Sequence, residues 1–132
     1  MNPELIVAAL LNHASITALV GTRRALAQLP QNTAMPALVY QVLNADPRPN
    51  LDYADGPQMA QARIQFNPLA LTIPEVKSIH SALRSVLDFK HNSTVAGKLV
   101  VSCRFALLGP MEKDNEAGIW TQPADYLLAY YE

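Results

Sequence analysis

The sequence predicts an α+β domain, and three observations predict it. Apolar residues recur at helical spacing over 73–88. They alternate with polar ones over 59–66 and again over 98–108. Helix and strand patterns come in blocks rather than in strict alternation, in the order α-β-β-β-α-β-β. The expected architecture is a twisted antiparallel sheet of four to five strands with two main helices packed on one face. The 132 residues fit a single domain, 1–132, that can bury a core without staples.

Taken in order, Asn2-Pro3 is a helix start, an N-cap acceptor followed by a proline whose missing N–H costs nothing in the first turn. Glu4 suits the positive end of that helix, expected over 3–12, with Ile6, Ala9, Leu10 and His13 on one face. Ser15 can cap a second short turn, stopped by Gly21. Thr22–Leu29 reads as a short strand ended by Pro30. Residues 36–43, PALVYQVL, read as a strand covered on both faces. Residues 44–58 hold three prolines and three aspartates, so they read as a long irregular excursion. Residues 59–66 follow as a half-buried strand, with Ala60, Ala62, Ile64 and Phe66 inward, ended by Asn67-Pro68. Thr72-Ile-Pro-Glu75 is a capping box opening the helix 73–88. Residues 90–97 read as a polar loop. In 98–108, Leu99, Val101, Cys103, Phe105 and Leu107 are expected inward, with Lys98, Ser102 and Arg104 outward. MEKDNEAG is a charged turn, and 118–131 is a final strand that Pro123 interrupts, at an edge or a bulge.

Composition narrows the function. A formal net charge of −1 with no basic stripe argues against a specific nucleic-acid partner. The single cysteine, Cys103, forbids an internal disulfide and reads as a buried hydrophobe in a reducing compartment. The charged fraction of 16% is low, which suits a surface partly hidden against other subunits. The apolar run in MNPELIVAALLNH lacks a positive stretch before it and ends at Asn12-His13, so neither a signal peptide nor a membrane partner is expected.

The search for chemistry finds little. His13, His80 and His91 sit on separate elements, and no metal-ligand spacing or phosphate loop occurs, so no cofactor is expected. Asp46, Asp52 and Asp55 lack a calcium-loop pattern and read as turn formers. His80 falls on the apolar helix face, either as a core-edge residue with one nitrogen satisfied or as the general base of a small ligand-binding or enzymatic domain. Arg23 and Arg24 can meet an acidic partner or only a neighbouring carboxylate. Trp120, Tyr126, Tyr130 and Tyr131 can pack in the core or anchor a subunit contact.

Taken together, the Leu-Val-Gly-Thr turn at 19–22, LPQ…PALVYQ at 29–41 and the strand-then-helix block at 62–88 resemble the family of phage tail completion proteins, or tail terminators. The resemblance spans nearly the whole chain. One departure is Asn67-Pro68, where the family often has a Trp or Tyr. The resemblance implies a non-enzymatic ring, commonly of six subunits, that sits on the last ring of the tail tube and joins tail to head. Its partners would be other copies, the major tail tube protein and the head–tail connector. Its place would be the host cytoplasm during assembly, then the virion tail. A head-completion or minor tail connector protein is the neighbouring alternative. The family transfers no active-site residues. The material for partner contacts is Arg23 and Arg24, the excursion with Arg48, Asp52, Tyr53 and Asp55, and Glu112, Lys113 and Trp120. Residues 44–58 are expected to order on assembly.

Overall fold

The computed structural model describes residues 2–48, 58–88 and 90–131. Its elements run α1 (Pro3–Leu10), α2 (Ala14–Val20), β1 (Arg24–Leu26), β2 (Ala37–Arg48), β3 (Met59–Ala70) and α3 (Ile73–Leu87). There follow β4 (Lys90–Val95), β5 (Lys98–Leu108), β6 (Glu112–Asp114), β7 (Ile119–Thr121) and β8 (Ala124–Tyr131). The α+β class is as expected. The sheet is larger, with eight strands in the order β1-β2-β3-β8-β5-β4, and β7 and β6 branch from the end of β3. It is also mixed, because β1 lies parallel to β2, and it curls into a half-barrel.

The helices follow local chemistry, with two corrections. Pro3 sits in the first turn of α1, but the Asn2 side chain makes no capping bond. His13, not Ser15, caps α2: its Nδ1 accepts from the Ser15 backbone N–H at 3.2 Å. Gly21 ends α2 with φ +57°, a conformation that suits a residue without Cβ. The capping box of α3 forms as expected, with Thr72 Oγ1 accepting from the Glu75 N–H and donating to the Glu75 carboxylate at 2.9 Å. Val76, Ile79, Leu83, Val86 and Leu87 then face the sheet.

The strands depart further from expectation, each for a physical reason. β2 continues through Asn44–Arg48, paired with Arg63–Met59, where an irregular excursion was expected. β1 covers β2 only up to Tyr40, so Pro47 lies in an edge stretch, where a missing N–H is tolerated. A register shift between Val42 and Asn44 leaves Leu43 exposed, so this strand is not covered on both faces. The remainder of the excursion, 49–57, lies outside the described residues.

β3 likewise runs past Asn67-Pro68 to Ala70. It pairs with β8 as far as Phe66 and with β7 from Leu69, so Pro68 falls in the gap between those two partners. The expected polar loop 90–97 is instead β4, joined to β5 by a turn in which Ala96 and Gly97 both have positive φ, the geometry of a two-residue hairpin.

β5 carries two register shifts, at Val100/Ser102 and Phe105/Leu107. Each inverts the face on which following side chains point. Val100 and Cys103 are therefore buried, while Leu99 and Leu107, expected inward, are exposed. β8 lies between β3 and β5, not at an edge, and Pro123 sits outside it.

The core lies between the helices and the inner sheet face. Ile6, Ile16, Val20, Leu38, Ile64, Phe66, Leu83, Tyr126 and Leu128 form one cluster. The Tyr126 ring meets Phe66 and Phe105 edge-on, both at 5.5 Å between centroids. Tyr126 and Tyr130 are thus core residues.

Candidate assembly surface

At one margin of the sheet, Arg24 opens β1 and Arg23 immediately precedes it. Arg24 donates to the Leu11 carbonyl and, at 2.9 Å, to Asn12 Oδ1, tying the end of α1 to β1. Arg23 Nε donates to the Pro36 carbonyl at 2.7 Å. Of the two readings, an acidic partner or a neighbouring carboxylate, the second finds no ion pair among the described residues, where each guanidinium bonds neutral oxygens. Neither guanidinium makes an ion pair among the described residues, although the Glu4 carboxylate, like Arg24, acts on the Tyr40 hydroxyl. An open cleft of about 180 Å³ lies beside these side chains, lined by Ala8, Leu11, Asn12, Arg24 and Tyr40. Burial pushes the Tyr40 hydroxyl above its ordinary pKa, with Arg24 opposing the rise and Glu4 adding to it.

At the opposite margin, the stretch read as a charged turn folds as the β6–β7 hairpin. Glu112, Lys113, Asp114 and Glu116 are all exposed. The Asp114 carboxylate accepts from the Glu116 and Ala117 N–H groups, and the Gly118 N–H closes the turn on the Asp114 carbonyl at 2.7 Å. The Lys113 ammonium lies 5.5 Å from the centre of the Trp120 ring. Trp120 is half-buried at the junction with β3.

The root of this hairpin is clamped by Gln122, a residue that sequence reading missed. Its side chain donates to the Gly109 carbonyl at 2.9 Å and accepts from Lys77 at 2.8 Å. Its backbone carbonyl accepts a hydrogen bond from His80 Nε2 at 2.8 Å, and the Gly109 N–H donates to the Pro123 carbonyl. Three segments meet there, α3, the stretch after β5 and the link from β7 to β8, and no isolated glutamine in a sequence announces such a role. His80 is buried as a tie between α3 and the start of β8, the first of its two expected roles. Burial lowers its pKa below 6.5, with the Gln122 bond opposing and Lys77 adding to the shift.

The sheet face turned away from the helices is polar at its middle. Gln65 accepts from Gln41 and Asn67, and Arg63 pairs with the buried Asp125 at 2.9 Å. Arg48 ends β2; its side chain, with Asp52, Tyr53 and Asp55, lies outside the described residues. Those candidate residues that are described form no single cluster: Arg23 and Arg24 stand at the start of β1, and Glu112, Lys113 and Trp120 on the β6–β7 hairpin. Among the described residues no group of three His, Cys, Asp or Glu side chains is placed to hold a metal ion. No single described helix is long and apolar enough to cross a membrane.

Comparison with known proteins bears on what these surfaces serve. No curated protein matches the chain. A chain of a solved structure described as the virion of a native gene transfer agent particle shares the fold, with a TM-score of 0.70 at 14% identity over 98% of this chain and 93% of that one. Residues 4–107 match the family described as tail completion protein gp17. That stretch runs from the first turn of α1 to the end of β5, so the chain belongs to the tail completion protein gp17 family.

Proposed function

We propose that copies of this chain form a closed ring, of six subunits, on the last ring of a phage tail tube. The ring stops tube growth and offers its far side to the head–tail connector. The chain acts through shape and charge, with no bond made or broken. It would be made in the host cytoplasm and end in the virion tail, with other copies, the tail tube protein and the connector as its partners. The match to the tail completion family carries this reading. The fold shared with a chain of a gene transfer agent virion accords with it.

One feature of the fold supports this reading. A closed ring needs two different surfaces on each subunit, one for each neighbour. Two outer strands of the sheet are unlike, β1 beside fixed arginines and β6 with exposed carboxylates. Electron microscopy of lysates from a phage lacking this gene tests the reading. Over-long tails without heads are expected. Tails of normal length lacking heads would indicate a minor connector instead, and normal virions would defeat both.

A further inference from the structure

We infer that neighbouring copies join through leucines at opposite margins of the sheet, Leu107 and Leu108 of one copy against Leu43 and Leu26 of the next. The inference rests on the ring reading and names the surfaces that close it.

Both margins offer an uncovered strand edge. β4 pairs with β5 only between Lys98 and Cys103, and the Phe105 N–H is taken by the Asp88 carboxylate at 2.9 Å. Among the described residues no strand flanks Ala106–Leu108 on that side. At the far margin β1 stops at Leu26, opposite Tyr40, and no described strand flanks the β2 edge beyond it. Edges of this kind leave backbone N–H and C=O groups available to another chain. Each is apolar where it is uncovered. Leu26 and Leu43 are 47% and 43% exposed at one margin, Leu107 and Leu108 53% and 43% at the other.

The leucines match in height. Leu26 pairs with Tyr40, Tyr40 with Phe66, Phe66 with Ala124, and Ala124 with Leu108. Leu26 and Leu108 therefore stand in one row across the sheet. Leu107 stands in the next row, through Asp125, Gln65 and Gln41, and Leu43 follows Gln41 by two residues. Contact between surfaces at one height turns without climbing, which a closed ring requires and an open filament does not.

They also match in face, because side chains paired in one row point the same way. The row of Leu26 and Leu108 holds Tyr40, Phe66 and Ala124, which are buried toward the helices. The row of Leu107 holds Gln41, Gln65 and Asp125 on the polar face. Leu43 shares that face with Gln41 by the two-residue period of a strand. Leu26 thus meets Leu108 on one side of the joint, and Leu43 meets Leu107 on the other.

Strand direction selects the same pairing. β5 runs against β2 through the antiparallel steps β2–β3, β3–β8 and β8–β5, while β1 runs with β2. A neighbour rotated about an axis along the strands therefore brings its β5 edge antiparallel to β1 and β2, the better-bonded arrangement. The joint removes half-exposed leucines from water at every subunit boundary, which favours association.

Cross-linking in purified tails tests this joint. Adjacent strands bring paired Cα atoms to about 5 Å, within reach of a disulfide. In tails carrying Leu26→Cys with Leu108→Cys, mild oxidation should give a ladder of multiples ending in a closed ring product. Neither single substitution should give a ladder, since Cys103 is buried. Reciprocal charges give a second reading. Leu26→Lys alone and Leu108→Asp alone should each cut incorporation into tails by about tenfold, with the free chain still folded. The chain carrying both should recover most of that loss, because each aspartate meets the lysine of the next copy. A ring seen on the tails without a ladder overturns the joint and leaves the ring. A cross-link to a different tail chain also overturns it, as does normal entry of both singly charged chains or no recovery in the pair. Tails with no ring at all overturn the joint and the ring together.

Discussion

Every second residue of β3 is buried along its whole length, whereas all three residues of β6 are exposed. The two strands are joined through β7 in one sheet, yet they are made of different material. β3 is flanked along most of its length by β2 and β8, and its inward residues meet the helices. β6 has a partner on one side only and side chains that are mostly acidic. The centre is determined by what the chain must bury. The margin carries charged side chains that stay in solvent.

This contrast can be broken most severely at the centre. Phe66→Ala removes a ring packed between Tyr40 and Tyr126. It should cost about 3–5 kcal/mol of stability, read by urea denaturation. Tyr126→Phe removes a buried hydroxyl and keeps the ring contacts, so it should cost far less than the loss of a whole ring.

At the junction of centre and margin, Gly109→Ala is the sharper probe. A Cβ there would lie 2.6 Å from Pro123 Cγ, and the proline ring cannot swing aside. The expected cost is about 1–3 kcal/mol, with the damage centred on the hairpin root. Amide exchange should show the bonds about Gly109 and Gln122 opening before those of β3 and β8.

The same junction gives stability a dependence on pH. Burial holds the folded His80 pKa below 6.5, so the unfolded chain takes up the proton first on acidification. The contribution is full above about pH 6.5 and is lost as pH falls toward the lowered folded value. Replacing His80 with Gln should flatten this dependence in denaturation midpoints taken at neutral pH and at about pH 5. An unchanged slope would remove His80 from the account.

The centre was also the part legible in the sequence. Strict alternation over Ala60, Ala62, Ile64 and Phe66 fixes a face, and the Thr72–Glu75 capping box fixes a helix start, because both signals are local. β5 was harder. Leu99, Val100 and Val101 are all apolar, so the run has no phase of its own, and the register shift within it is set by pairing with β8. β4, with the sequence KHNSTV, has no apolar face to read and is a strand only because β5 offers it an edge. The surface residues divide in the same way. Exposure of Glu112 and Lys113 could be read from composition, but the use of Arg23 and Arg24 as ties to carbonyl groups depends on where α1 and β2 arrive.

The smallest effect on stability should come from the margin itself. Glu112→Lys with Glu116→Lys alters exposed side chains, and the turn is pinned by Asp114, which these changes leave in place. The unfolding midpoint of the free chain should not move measurably, because exposed charges contribute little to folding. A loss as large as that of Gly109→Ala would place these carboxylates among the groups that hold the domain together. An unchanged midpoint would separate the two regions: β3 and its neighbours make the fold, and the exposed charge of β6 contributes little to it.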